Sequence, residues 1–97
     1  MTVHVIAHLT IHDHDAYQPY ADAFMPILDA HGGRLLTVDD EAEVIDGARE
    51  PGRTVVLEFD SEEAFRAWWD SPEYREIAAI REANSTTHSI VLTRRPF

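Results

Sequence analysis

The sequence has 97 residues, 44% of them hydrophobic, and its eight basic and eighteen acidic side chains give a formal net charge of −10. This length predicts one domain over residues 1–97, and the shortage of basic residues argues against partners such as nucleic acid or an anionic membrane surface. The absence of cysteine excludes disulfides and thiolate chemistry. Neither a signal peptide nor an apolar run of about 18 residues is visible, which predicts a cytoplasmic protein.

The first half of the chain predicts a strand followed by a helix. Residues 3–10 alternate between apolar odd positions and mixed even positions, as in a strand with one buried face. Asp13 is expected to cap a helix, since the apolar residues from Tyr17 to Leu28 recur at helical spacing. Gly32-Gly33 is expected to end that helix. A second strand region covers residues 35–38 and 43–45, with an acidic interruption between them.

The second half predicts a strand, two helical segments and a final strand. Residues 54–59 form the third strand, and Asp60 or Ser61 caps a short helix. Ser71 restarts a helix with Pro72 at its first position, where a missing N–H costs nothing. Asn84 is expected to end it, and residues 89–93 form the last strand.

The order β-α-β-β-α-β predicts an α+β, ferredoxin-like fold. It has a four-stranded antiparallel sheet with the helices on one face and the first and third strands at the centre. The alternation along the first strand points the even residues, among them His4 and His8, to the opposite, open face. The same parity on the third strand places Glu58 on that open face.

Short motifs in the same order along nearly the whole chain resemble the DUF1330 family. They are Asp13, Tyr17 and Tyr20; Gly32-Gly33-Arg34; Gly47, Pro51 and Arg53; Glu58-Phe59; and the run AWWDSPEY over residues 67–74. The resemblance implies the dimeric α/β-barrel superfamily, in which two ferredoxin-like sheets pack through their helix-free faces. Most of the family has no assigned activity, so the resemblance implies a homodimer and no particular reaction.

His8 and Glu58 are the candidate catalytic residues. A carboxylate beside an imidazole stabilises the imidazolium and fixes its tautomer, which serves general acid–base catalysis. The first hypothesis is therefore a homodimer that binds a small organic molecule in a pocket between two open sheet faces. In that pocket His8 carries a proton and Glu58 orients it. The alternative is a pair that only fixes sheet register or dimer geometry.

Four further residues are candidates for substrate binding. Arg34 and Arg81 are expected to clamp an anionic group by bidentate hydrogen bonds, or else to form internal ion pairs. Trp68 and Tyr74 belong to an aromatic set that either lines a pocket or packs in the core.

No metal and no cofactor are expected. His4 and His8 are four residues apart on a strand, which separates their Cα atoms by roughly 13 Å, too far to share an ion. The sequence also lacks a glycine-rich phosphate loop and a dinucleotide-binding fingerprint. Two alternatives to the first hypothesis stay open. One is a non-enzymatic interaction module, and the other is a cofactor-free monooxygenase, by analogy with other dimeric α/β-barrels.

Overall fold

The computed structural model describes residues 1–95. Its elements are β1 (Val3–Ile11), α1 (His14–Ala30), β2 (Arg34–Asp39), β3 (Arg53–Phe59), α2 (Glu62–Trp69), α3 (Pro72–Asn84) and β4 (Ser85–Arg94). The strands form one antiparallel sheet in the order β2-β3-β1-β4. This confirms the predicted ferredoxin-like fold, with β1 and β3 at the centre.

Side-chain caps begin all three helices. The Asp13 carboxylate accepts a hydrogen bond from the Ala16 amide at 3.0 Å, and Ser61, rather than Asp60, caps α2. The Ser71 hydroxyl accepts from the Tyr74 amide at 3.1 Å, with Pro72 at the start of α3. Each cap satisfies an amide that has no partner inside its helix, so these boundaries follow from local chemistry.

The core lies between the helices and the odd-numbered face of β1. Val3, Val5 and Leu9 are buried there, and the intervening even positions are half-buried or exposed. Gly33 lets the chain pass close beneath α1, since a Cβ at this position would lie 2.3 Å from Leu28 Cδ1. The parity prediction for β1 is therefore confirmed. One side of the sheet is covered by helices and the other is open.

Two strand predictions need correction. Residues 43–45 lie outside β2, because the pairing of β2 with β3 ends at Asp39 and Thr54 and no strand lies beside the following residues. The last strand begins at Ser85, earlier than predicted, because Ser85 pairs with Ile11 directly after α3. Pairing with β1 therefore extends the last strand beyond the apolar residues from which it was predicted. No helix within residues 1–95 combines the length and the apolar character needed to cross a membrane.

Candidate functional site

A cavity of about 250 Å³ lies between the sheet and the helices. Residues from all four strands and all three helices line it, so a single chain forms it. Its walls are mainly apolar, and six of the lining residues are aromatic: Tyr17, Tyr20, Phe24, Trp68, Trp69 and Tyr74. A concave, largely apolar site with few polar groups is the usual form of a small-molecule pocket.

Small side chains at the centre of the core explain why space remains. Ala7 stands between Val5 and Leu9 on β1, and Ala21 faces the same cavity from α1. Protein interiors are otherwise filled to the density of organic crystals, so two alanines in this wall leave room that larger side chains at the same positions would fill. The exposed side chains of Met25 and Val38 also line the cavity, which places its mouth between α1 and β2.

Arg53 and Arg81 are the charged residues of the cavity wall, and no Asp, Glu or His within residues 1–95 lines it. Arg53 is neutralised by Asp40, which accepts from its Nε at 2.6 Å and from its Nη2 at 3.1 Å. These hydrogen bonds hold the pKa of Asp40 below its usual value. The Arg53 guanidinium also lies 5.9 Å from the centre of the Tyr17 ring.

Arg81 is held differently. Arg81 is only 4% exposed, and its Nη1 donates a hydrogen bond to the Thr87 hydroxyl at 2.6 Å. Its nearest carboxylate is Glu82, 3.6 Å from Nη2, with a side chain that is 60% exposed. The buried Nε of Arg81 and the buried indole Nε1 of Trp68 have no hydrogen-bond partner among the described residues. Two hydrogen-bond donors of the cavity wall are thus unpaired.

Burial keeps two phenols of the cavity wall, Tyr17 and Tyr20, neutral. The hydroxyls of Tyr20 and Tyr74 are 2.9 Å apart. Burial, followed by the neighbouring Tyr74, raises the pKa of Tyr20 well above its usual value. Burial also raises the pKa of Tyr17, against the opposing effect of Arg53. These phenols therefore stay protonated near neutral pH, and they are poor general bases there.

On the open face, the structure corrects the predicted His8–Glu58 pair. In the observed register His4 faces Glu58, while His8 faces Thr54. The Nε2 of His4 lies 2.9 Å from a Glu58 oxygen, and the Nε2 of His8 lies 2.8 Å from the Glu50 carbonyl oxygen. Parity identified the correct face. It did not identify the register, which depends on where β3 begins.

Arg34 forms internal ion pairs on the same face. Its Nε donates to Glu58 and its Nη2 to Asp60, both at 2.8 Å. The hydrogen bond from Arg34 to Glu58 and, to a lesser extent, the one from His4 hold the pKa of Glu58 below its usual value. The alternative interpretation of Arg34 as a structural ion pair therefore fits the geometry better than an anion clamp.

The predicted site residues thus divide between the two sides of the sheet. The cavity brings together Arg81, Trp68 and Tyr74, whereas His8, Glu58 and Arg34 lie outside its wall. Sequence reasoning missed Arg53 as a cavity residue. Its odd position at the start of β3 was a usable signal, because parity assigns it to the helix-covered side. Across residues 1–95, no three His, Asp or Glu side chains group closely enough to hold a metal ion.

Residues 2–94 match the family model described as a domain of unknown function, DUF1330. No protein with a curated description matches the chain.

Three solved structures illustrate the similarity of fold. A protein of unknown function from Rhodopseudomonas palustris has a TM-score of 0.75 at 17% identity, over 97% of this chain and 82% of its own. SnoaB, a cofactor-independent oxygenase from Streptomyces nogalater, has a TM-score of 0.69 at 15% identity, over 99% and 94%. A dimeric ferredoxin-like protein of unknown function from Thermobifida fusca has a TM-score of 0.60 at 24% identity, over 96% and 88%. At these identities the shared property is the fold.

Proposed function

This chain belongs to the DUF1330 family, and from that premise we propose that it binds a small organic molecule in the cavity between the sheet and the helices. The observation that carries the proposal is the cavity wall, in which aromatic rings surround two arginines. A volume of about 250 Å³ is near the lower limit, roughly 300 Å³, of ordinary ligand pockets, which favours a molecule of one or two rings.

The neutral probe 2-naphthol tests this proposal. Both tryptophans of the chain line the cavity, so binding is expected to shift both indole N–H signals in an NMR titration. Ala21→Phe fills the cavity and is expected to abolish the shifts, while Ala30→Phe, at the exposed end of α1, preserves them. Equal shifts in both variants would place the probe elsewhere, and no binding by the parent protein would favour the non-enzymatic interaction module.

The open face supports a second part of the proposal, a homodimer. Ile6 is 36% exposed and Val91 44% exposed, and they are direct neighbours on β1 and β4. Exposed apolar side chains on a sheet face favour burial against another surface. The Thermobifida fusca neighbour is described as dimeric. Because one chain forms the cavity, the second copy in this proposal covers the open face and does not complete the ligand site.

A matched pair of substitutions tests the dimer. Val91→Asp introduces a charge on the open face, whereas Val44→Asp makes the same change at a residue of similar exposure, 42%, in the loop after β2. Sedimentation at micromolar concentration is expected to show a dimer for the parent protein and for Val44→Asp, and a monomer for Val91→Asp. A parent protein that sediments as a monomer contradicts the dimer and leaves the cavity proposal intact.

The similarity of fold to SnoaB favours cofactor-independent oxygenation as a second candidate function. Acid–base chemistry by His8 and Glu58 is not part of either candidate, because neither residue lines the cavity. Oxygen consumption with a hydroquinone substrate, above the rate without protein, supports oxygenation if Ala21→Phe abolishes it. A rate equal to that of the buffer excludes this substrate class and leaves ligand binding as the function.

A further inference from the structure

We infer that the ligand of this cavity is an organic anion, an apolar ring system that carries a carboxylate or enolate oxygen bound by Arg81 and Trp68. The inference rests on the proposed function and adds the chemical class of the ligand. It depends on the unpaired donors of the cavity wall and on the sign of its charges.

Arg81 is a buried cation without an adequate counter-charge. A charged group removed from water is costly unless a partner of opposite charge and full hydrogen bonding compensate it. Thr87 offers a neutral hydroxyl, and the largely exposed Glu82 carboxylate, at 3.6 Å, is beyond hydrogen-bond distance. An anionic ligand in the cavity would supply both the missing charge and an acceptor for Nε.

Trp68 adds an independent observation. Its indole N–H is buried and has no acceptor within residues 1–95, although buried polar groups are normally hydrogen-bonded. The rings of Trp68 and Tyr74 are 4.1 Å apart, which fixes the indole beside the cavity. Both residues line the cavity and both unpaired nitrogens are shielded from solvent, so in this proposal the side chains of the wall rotate to let a ligand oxygen reach them.

The other charged residues of the cavity wall also favour an anionic ligand over a cationic one. A cationic ligand would find two arginines and, among the described residues, no lining carboxylate. Arg53 is not expected to bind the anionic group of the ligand, because its Nε and Nη2 already donate to the Asp40 carboxylate. Arg81 is therefore the cation whose charge remains available to the ligand.

Calorimetric titration with three probes of one ring system tests the inference: 2-naphthoate, its neutral amide 2-naphthamide, and the cation 2-naphthylmethylammonium. The parent protein is expected to bind the carboxylate about tenfold to a hundredfold more tightly than the amide, as for a charge-assisted hydrogen bond, and the cation least. Arg81→Met is expected to remove this preference and to leave the affinity for the amide within about threefold.

Arg75→Met is the matched control. Arg75 lies on the same helix and its guanidinium is 4.5 Å from the centre of the Trp69 ring, but it is exposed and does not line the cavity. It is expected to keep the preference for the carboxylate. Thermal unfolding checks that Arg81→Met is folded, which we expect because an apolar side chain often replaces a buried charge without loss of stability.

The failures are distinguishable. If the parent protein binds the carboxylate and the amide equally, the inference of an anionic ligand is wrong, while the ligand-binding proposal stands. A preference that survives in Arg81→Met overturns the role of Arg81, and a preference lost equally in Arg75→Met assigns it to the general surface charge. If the protein binds neither 2-naphthol nor any of the three probes, the proposed function fails and the inference fails with it.

Discussion

The charged side chains on the two sides of the sheet are in opposite states, although the buried Thr54 hydroxyl on the open face also has no partner among the described residues. On the open face the carboxylate of Glu58 is hydrogen-bonded to both His4 and Arg34. On the helix-covered side Arg81 and Trp68 each keep a buried donor that no described residue satisfies. Satisfied polar groups stabilise a structure, whereas unsatisfied ones in a cavity wall indicate what else would bind there.

The same comparison shows that Glu58 itself is not suited to act as a general base. A general base works best with a pKa near the operating pH, which for a carboxylate requires an upward shift. The hydrogen bonds from Arg34 and His4 lower the pKa of Glu58 instead. An imidazole–carboxylate pair seen in a sequence is therefore ambiguous until the third partner is known, and here that partner is an arginine.

The largest expected effect is on the free energy of unfolding, when one aliphatic side chain is shortened on the helix-covered side of the sheet and another on the open face. Leu57→Ala, in the buried core, is expected to lower the free energy of unfolding by about 2–5 kcal/mol. Ile6→Ala removes as many carbon atoms from the open face and is expected to cost about 1 kcal/mol or less in the single chain. Urea unfolding at low protein concentration measures both.

Protein concentration then sharpens that test. If a second copy covers the open face, the cost of Ile6→Ala grows as the concentration rises through the dimerisation range, while that of Leu57→Ala changes little. Equal costs at low concentration would contradict the assignment of an uncovered face to the single chain.

An intermediate effect is expected at the hydroxyl pair of the cavity. Tyr20→Phe leaves the buried Tyr74 hydroxyl without its partner at 2.9 Å and is expected to cost about 1–3 kcal/mol. Thermal or urea unfolding of Tyr20→Phe, Tyr74→Phe and the double variant forms a double-mutant cycle. Additive costs would show that the two hydroxyls do not stabilise each other.

The fold was predictable because it rests on local signals. Alternation along β1 identified the buried face, and Asp13 and Ser71 marked helix starts by their capping chemistry. The register of β1 against β3 was not predictable, because alternation fixes only the face of each side chain, and Glu58 can lie opposite any even-numbered residue of β1 without changing face. Alternation therefore allows His4 or His8 beside Glu58, and the structure has His4 there.

The cavity was predictable only in part. Arg81, Trp68 and Tyr74 were proposed as ligand residues from their types, but for a pocket on the other side of the sheet. Helical spacing indicates which residues share a face of one helix. It does not indicate which small side chains from different elements line one common space, as Ala7 and Ala21 do here.

The smallest expected effect is a change in the pH dependence of stability when Glu58→Gln removes the open-face network. The lowered pKa of folded Glu58 contributes stability that is complete above the unfolded pKa of about 4.3 and is lost as the pH falls through the folded pKa. Glu58→Gln should therefore be less stable than the parent protein at pH 7, and the two should converge at acid pH. Urea unfolding at intervals from pH 7 to pH 3 measures this.

Glu43→Gln is the control for that titration. Glu43 is an exposed carboxylate in the loop after β2, away from any helix end, and no ion pair joins it to a described residue, so its variant should follow the parent curve. Parallel curves for the parent protein and Glu58→Gln would mean that the hydrogen bonds from His4 and Arg34 do not favour the charged carboxylate. The open face would then be no better satisfied than the cavity wall, and the contrast between the two sides of the sheet would not hold.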